Sequence, residues 1–269
     1  QTKIKSAQRH LSVEIKDEKI TSIIEKNVSI FPNNTQISIA IINNDNTEYI
    51  GVIRKNDTLI TINNKNSVFE IGSISKVFTS ILFSHLIQED KISLNATLES
   101  QFGFDLKNGK DIKLYQLANH TSGLPRLPEN IMPLLVTNQS NPYKYYSPEL
   151  LESYLKNNLT LQYPTGDKNV YSNLGAGLLG YILTLKSNKT YEDLLQDYIL
   201  KPLKMNQSSS LLYKNSTLVY GLNPEGKPTS NWDFTDALVG AGGVKSTAND
   251  MVKFARKNFE NNTIYNVPQ

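Results

Sequence analysis

Apolar positions along this chain change period twice. Over residues 13–28, Val13, Ile15, Ile20, Ile23, Ile24 and Val28 recur among charges at three-to-four spacing, which predicts an amphipathic helix ended by Pro32-Asn33-Asn34. Three short runs rich in β-branched residues follow, at 36–42, 49–53 and 59–62. Turn residues, including Asn43 through Asn46, separate the first two. These runs predict an antiparallel meander.

The helical period then returns. Val77, Phe78, Ile81, Leu82, Leu86 and Ile87 lie in a stretch without acidic residues until Glu89, so this helix is expected to be buried on most sides. Helical signals dominate to about residue 205. Ser147-Pro148-Glu149 predicts an N-cap with proline at the first helical position, and residues 191–200 predict a further short helix. An amphipathic stretch at 247–259, with Asp250 near its start, closes the pattern. Strands, then a long helical insertion, then a return predict an α+β fold rather than alternating βαβ units.

Composition narrows the chemistry. The 269 residues suffice for one large domain or two modest ones, and 39% hydrophobic with 20% charged residues is an ordinary globular balance. A formal charge of +3, with no basic block carrying interleaved aromatics, argues against nucleic-acid binding. Cysteine is absent, so a thiol nucleophile, disulfides and thiolate metal sites are excluded. Three histidines (His10, His85 and His120) without H-E-x-x-H argue against a zinc hydrolase. No run approaches the roughly 18 apolar residues of a membrane span. The chain starts at Gln1 without a leader pattern, so either a removed signal peptide or a trimmed chain fits.

Two S-x-x-K tetrads occur. Ser153-Tyr154-Leu155-Lys156 lies inside an amphipathic helix, where both polar ends are expected in solvent. Ser73-Ile74-Ser75-Lys76 follows an apolar run and Gly72, and opens the most buried helix. Spacing of three sets Ser73 beside Lys76. A serine hydroxyl needs a neighbouring base, and a lysine serves once burial and the positive end of a helix lower its pKa. The Ser73 N–H at a helix start could also donate to an oxyanion. The bland alternative is a serine cap with a lysine reaching out of the first turn. Tyr171-Ser172-Asn173, read as extended, would project a phenol and an amide from one side, suiting a proton shuttle and a substrate grip. A buried tyrosine and a Ser/Asn turn would explain it equally. Tyr213-Lys214-Asn215 has the same spacing in a polar loop.

The segments together say more. Residues 68–82 closely resemble the nucleophile segment of class C β-lactamases and their penicillin-binding relatives. Residues 117–125, 171–180, 201–205 and 241–250 resemble four further segments of that family in the same order. The resemblance implies a β-lactamase/transpeptidase-like fold over 1–269: an antiparallel sheet flanked by helices, with a helical lobe at roughly 73–205. It implies Ser73 as the acylated nucleophile, Lys76 and Tyr171 sharing base and acid work, and Asn173 holding the substrate amide or the lysine. It requires neither cofactor nor metal. A small-molecule or peptide substrate is expected: an amide, an ester or a D-amino-acid peptide. By analogy, location is periplasmic, cell-surface or secreted. A β-lactamase proper and a non-catalytic penicillin-binding sensor are the alternatives.

Three other signals invite different readings. Gly175-Ala176-Gly177-Leu178-Leu179-Gly180 matches G-x-G-x-x-G but lacks a preceding apolar strand, so close helix packing is expected instead of a nucleotide. His120 has no G-x-S-x-G partner and reads as structural. Arg126 could meet a substrate carboxylate or simply be solvated.

The family's third motif, Lys-Thr-Gly or His-x-Gly, is not found before Gln269. The sheet is therefore expected to lack its C-terminal strands here. An incomplete sequence, completion by another chain and a degenerate member are the options, and an exposed strand edge argues for the first. Gly242 stands where class C β-lactamases carry a tyrosine, which points toward peptidase and esterase relatives.

Overall fold

The computed structural model describes residues 11, 15, 17–211, 217–260 and 264. Helix α1 (Glu18–Val28) begins later than the periodicity suggests. The Asp17 carboxylate accepts the N–H groups of Lys19 and Ile20, and a capped start overrides the apolar residues before it. Val13 lies outside the described residues.

Strands β1 (Gln36–Asn43), β2 (Asn46–Lys55) and β3 (Thr58–Thr61) form an antiparallel meander in the order β1-β2-β3. Lys55 pairs with Thr58 across a two-residue turn in which Asn56 and Asp57 both have φ near +50°. That turn twists with the strands it joins, and Asn and Asp tolerate it. Ile37, Ile39, Ile50, Val52 and Leu59 pack on Ile24 and Val28 of α1 in a small core of their own.

Strand β4 (Phe69–Glu70) leads into the helical part: α2 (Ser75–Gln88), α3 (Leu114–Ala118), α4 (Met132–Thr137), α5 (Pro148–Asn157), α6 (Asn173–Ser187), α7 (Tyr191–Leu195) and α8 (Val239–Gly242). The helix expected at 191–200 is α-helical only to Leu195 and continues as a π turn over Gln196–Leu200. The expected cap at α5 forms, with the Ser147 hydroxyl accepting the Leu150 N–H. Strand β5 (Lys245–Ser246) pairs with β4, and α9 (Ala248–Asn258) lies along β1. Phe254 of α9 stacks on Phe78 of α2 at 4.1 Å between centroids, tying the last helix to the main core.

Outside its pairing with β2, β1 has no strand neighbour among the described residues. Ser38, Ala40 and Ile42 face Met251 and Val252 of α9 across an apolar groove of about 520 Å³. The chain is α+β, with a sheet shorter than its core surface invites. No helix among the described residues is long and apolar enough to cross a membrane.

Helices α6 and α8 meet almost backbone to backbone. A Cβ on Gly177 would come within 2.9 Å of Leu238 Cα, and one on Gly180 within 3.1 Å of Gly240 Cα. Gly177 and Gly180 of the G-x-G-x-x-G string serve this approach, whereas Gly175 faces the Leu117 carbonyl, and the segment before them caps a helix rather than forming a strand. Gly177→Ala is expected to lower stability by about 1–3 kcal/mol through overpacking. Gly103→Ala, where a Cβ meets nothing within 4 Å, is expected to be neutral. Thermal denaturation of the two variants side by side checks the contrast.

Candidate functional site

Ser73 stands at the head of α2, as its setting in the sequence suggested. It occupies a 3₁₀ turn, Gly72–Ile74, just ahead of the helix. Gly72 enters that turn at φ +52°, the left-handed region a side chain resists, although a Cβ there would meet nothing within 4 Å. The glycine is therefore needed for backbone conformation and not for space. The turn lifts Ser73 into the open while keeping its N–H among the first-turn donors that have no intrahelical acceptor.

Lys76, in the first turn of α2, still reaches Ser73: its Nζ lies 3.1 Å from Ser73 Oγ. The same Nζ donates to the Ala241 carbonyl of α8 at 2.6 Å. Position 241 is set by the packing beneath it. Thr79, one turn further along α2, donates to the Gly240 carbonyl at 2.8 Å and receives the buried Tyr191 hydroxyl at 2.8 Å. The Val244 N–H donates to Ser75 Oγ at 3.0 Å, so the two serines of the tetrad have different tasks.

Tyr171 approaches from the other flank, with its hydroxyl 2.5 Å from Ser73 Oγ. The segment is extended only to Ser172, contrary to the reading of all three residues as extended. Ser172 is the N-cap of α6 and its hydroxyl accepts the Gly175 N–H at 2.9 Å, which makes Asn173 the first helical residue. Asn173 nevertheless lines the same cleft as Ser73. The structure thus brings Ser73, Lys76, Tyr171 and Asn173 to one place.

Their electrostatics are coupled. Burial holds the Lys76 pKa below the ordinary 10.5; the charge of Arg126 adds to this, while Tyr171 opposes it. Burial would raise Tyr171. Hydrogen bonds to Lys76 and Ser73, with the charges of Lys76 and Arg126, outweigh it and bring the phenol below 10.0. Two groups able to accept the Ser73 proton are both shifted toward the form that accepts it.

His120 stacks at a tilt on Tyr171, 4.8 Å between centroids, and its Nδ1 accepts the Ser172 N–H at 3.3 Å. Burial, then the Lys76 charge, lowers its pKa. Its part is to hold the strand-like entry to α6. Arg126 places its guanidinium 5.2 Å from the centre of the Tyr171 ring, and its carbonyl accepts the N–H groups of Asn173 and Leu174. The other tetrad is as solvated as expected. Lys156 is exposed beside Glu152 and over the Phe104 ring. Tyr213 and Asn215 lie outside the described residues.

Sequence reasoning missed the Ala241 carbonyl, because a backbone acceptor has no side-chain signal. It also missed Tyr143, Trp232 and Phe234, which line the cleft beside Ser73. The only tryptophan of the chain, two residues from a phenylalanine, was the available hint.

The Beta-lactamase family model matches residues 36–266. A β-lactamase of Yersinia enterocolitica is 30% identical over 204 residues, covering 73% of this chain and 47% of that protein. The D-alanyl-D-alanine-carboxypeptidase/endopeptidase AmpH of Escherichia coli strain K12 is 29% identical over 201 residues, covering 71% and 49%. The crystal structure of a β-lactamase/D-alanine carboxypeptidase from Pseudomonas syringae superimposes with a TM-score of 0.69 at 22% identity, covering 96% of this chain and 64% of that one. The chain therefore spans about half the length of these curated relatives.

Tyr171 is expected to ionise below the ordinary tyrosine value. The phenolate absorbance difference between the parent chain and Tyr171→Phe should show one step below pH 10.0. Lys76→Met, which removes a hydrogen bond and a positive charge, should move that step upward. A step at or above 10.0 in the parent chain would contradict the electrostatics described.

Proposed function

The chain belongs to the β-lactamase family, and on that premise we propose that it is a serine hydrolase working through an acyl-enzyme at Ser73. The observation that carries the reading is the convergence of Lys76 Nζ and Tyr171 OH on one hydroxyl, at 3.1 and 2.5 Å. In the reacting state Lys76 is neutral. One N–H stays on the Ala241 carbonyl and the lone pair faces Ser73.

The steps follow from these positions. Ser73 Oγ attacks the substrate carbonyl carbon and gives its proton to the Lys76–Tyr171 pair. The Ser73 N–H stabilises the oxygen that gains charge. As the bond to the leaving nitrogen or oxygen breaks, Tyr171 hands that atom the proton. Water, deprotonated by the same pair, then attacks the acyl carbon; the ester bond to Ser73 breaks, the pair returns the proton to Ser73 Oγ and the acid product leaves. Asn173 holds the acyl side of the substrate.

Among family activities, Gly242 and the Phe234 ring beside it favour a peptidase or esterase acting on a small amide, ester or D-amino-acid peptide. The β-lactamases among the relatives support a second reading, β-lactam hydrolysis, at the same serine. Periplasmic, cell-surface or secreted placement is part of the proposal, since cell-wall peptides and β-lactams lie there.

Incubation with a fluorophosphonate and with a fluorescent penicillin tests the proposal. Peptide mapping is expected to put the adduct on Ser73, and Ser73→Ala to abolish it. Lys76→Met should slow labelling by about 10²–10⁴-fold, the usual worth of a positioned base. Because both bases have lowered pKa values, labelling should rise with pH through a limb lying below the ordinary lysine range and fade as pH drops beneath it. Folded protein that reacts with neither probe would overturn the proposal.

A further inference from the structure

Resting on the acyl-enzyme reading, we propose that Tyr143, Trp232 and Phe234 form an aromatic subsite for the acyl side chain, selecting substrates with a flat, uncharged, aryl-bearing acyl group. A cavity of about 300 Å³ opens directly beside Ser73, lined by these three rings with Asn173 and Gly242. That volume is at the lower end of small-molecule sites, so it accommodates one arm of a substrate rather than the whole.

The rings form a box. Tyr143 stacks on Phe234 with centroids 4.5 Å apart at 15°, and meets Trp232 at 5.2 Å and 55°. Burial keeps the Tyr143 pKa raised, so it presents a neutral phenol. A Cβ on Gly242 would sit 3.3 Å from Phe234 Cζ: the glycine leaves the ring its place. Trp232 keeps 42% of its surface exposed on the cleft although its backbone is pinned.

That pinning is what makes the box a built site. The Trp232 N–H donates to one Glu70 oxygen at 2.6 Å, and the Asn231 amide donates to the other at 3.0 Å. Asn141 and Asp233 exchange two hydrogen bonds, at 2.8 and 2.9 Å, and the Ser230 hydroxyl donates to the Ser140 carbonyl at 2.6 Å. Glu70 belongs to β4, three residues before Ser73, so the same short segment fixes the nucleophile and the subsite. Rings held before binding lose little freedom when a ligand arrives. With Glu70 and Asp233 close by, an anionic acyl group is disfavoured.

The position assigns the subsite to the acyl arm. Tyr171, the proton donor to the leaving atom, does not line this cavity; it flanks Ser73 on the other side with His120 and Arg126. The leaving group departs there, and the acyl group takes the aromatic side.

The test compares p-nitrophenyl acetate with p-nitrophenyl phenylacetate, which share a leaving group and differ only in the acyl arm. The parent chain should favour the phenylacetyl ester in kcat/KM by at least about tenfold. Phe234→Ala and Trp232→Ala, each checked for cooperative unfolding, should cut that preference to within about threefold. Gly242→Tyr, which fills the box, should do the same. Equal kcat/KM for the two esters in a chain whose Ser73 still takes a fluorophosphonate would overturn the subsite alone. A preference untouched in both ring variants would also overturn it. No turnover and no Ser73 adduct would overturn the acyl-enzyme reading and the subsite with it.

Discussion

Lys76 stands between Ser73 Oγ and the Ala241 carbonyl, and the rest of the molecule is arranged so that it can. A lysine amine in water would carry a proton and point outward. Here the buried stem of α2 removes water from it, and a backbone carbonyl from a distant part of the chain fixes where it points. That carbonyl lies 165 residues away in sequence and is delivered by packing alone. Gly177 and Gly180 seat α8 against α6, Gly240 lets it come up to Thr79 of α2, and Thr79 and Tyr191 supply the hydrogen bonds along that contact. Loosening that contact moves the acceptor, and the amine with it.

The same contact organises the electrostatics. Lys76 and Tyr171 share Ser73, and each biases the other's protonation, so the two titrate as a pair. Arg126, whose carbonyl also receives the first N–H groups of α6, contributes a positive charge over the Tyr171 ring. One short loop thus supplies both the placement of Asn173 and part of the field at the phenol. Across the cleft, Glu70 ties the Trp232 loop to the strand that precedes Ser73. Nucleophile, proton carriers and aromatic box are thus drawn together from four separate segments, around residues 70–76, 143, 171–173 and 232–234.

Much of this was legible from periodicity and spacing, where a local rule governs the result. The meander at 36–62 follows from alternation and from Asn-rich turns, and the cap at Ser147 from its own residue order. Distinguishing Ser73 from Ser153 was possible because apolar surroundings are written in sequence. What was not legible depends on contacts between remote segments or on fine backbone geometry. The 3₁₀ turn at Gly72–Ile74 looks like the start of a helix, and Asn173 looked extended until the Ser172 cap claimed it for α6. The Ala241 carbonyl and the stacking of Tyr143 on Phe234 join residues 90 or more positions apart, and no local pattern encodes them.

The chemistry at Ser73 turns on the protonation of one amine. Heteronuclear NMR of lysine side chains, with Lys76→Arg used to assign the resonance, gives that pKa directly. A Lys76 value clearly below 10.5, moving when Tyr171 is replaced by phenylalanine, is the expected result. A value at or above 10.5, indifferent to Tyr171, would mean an ordinary solvated lysine and would contradict the mechanism built on it.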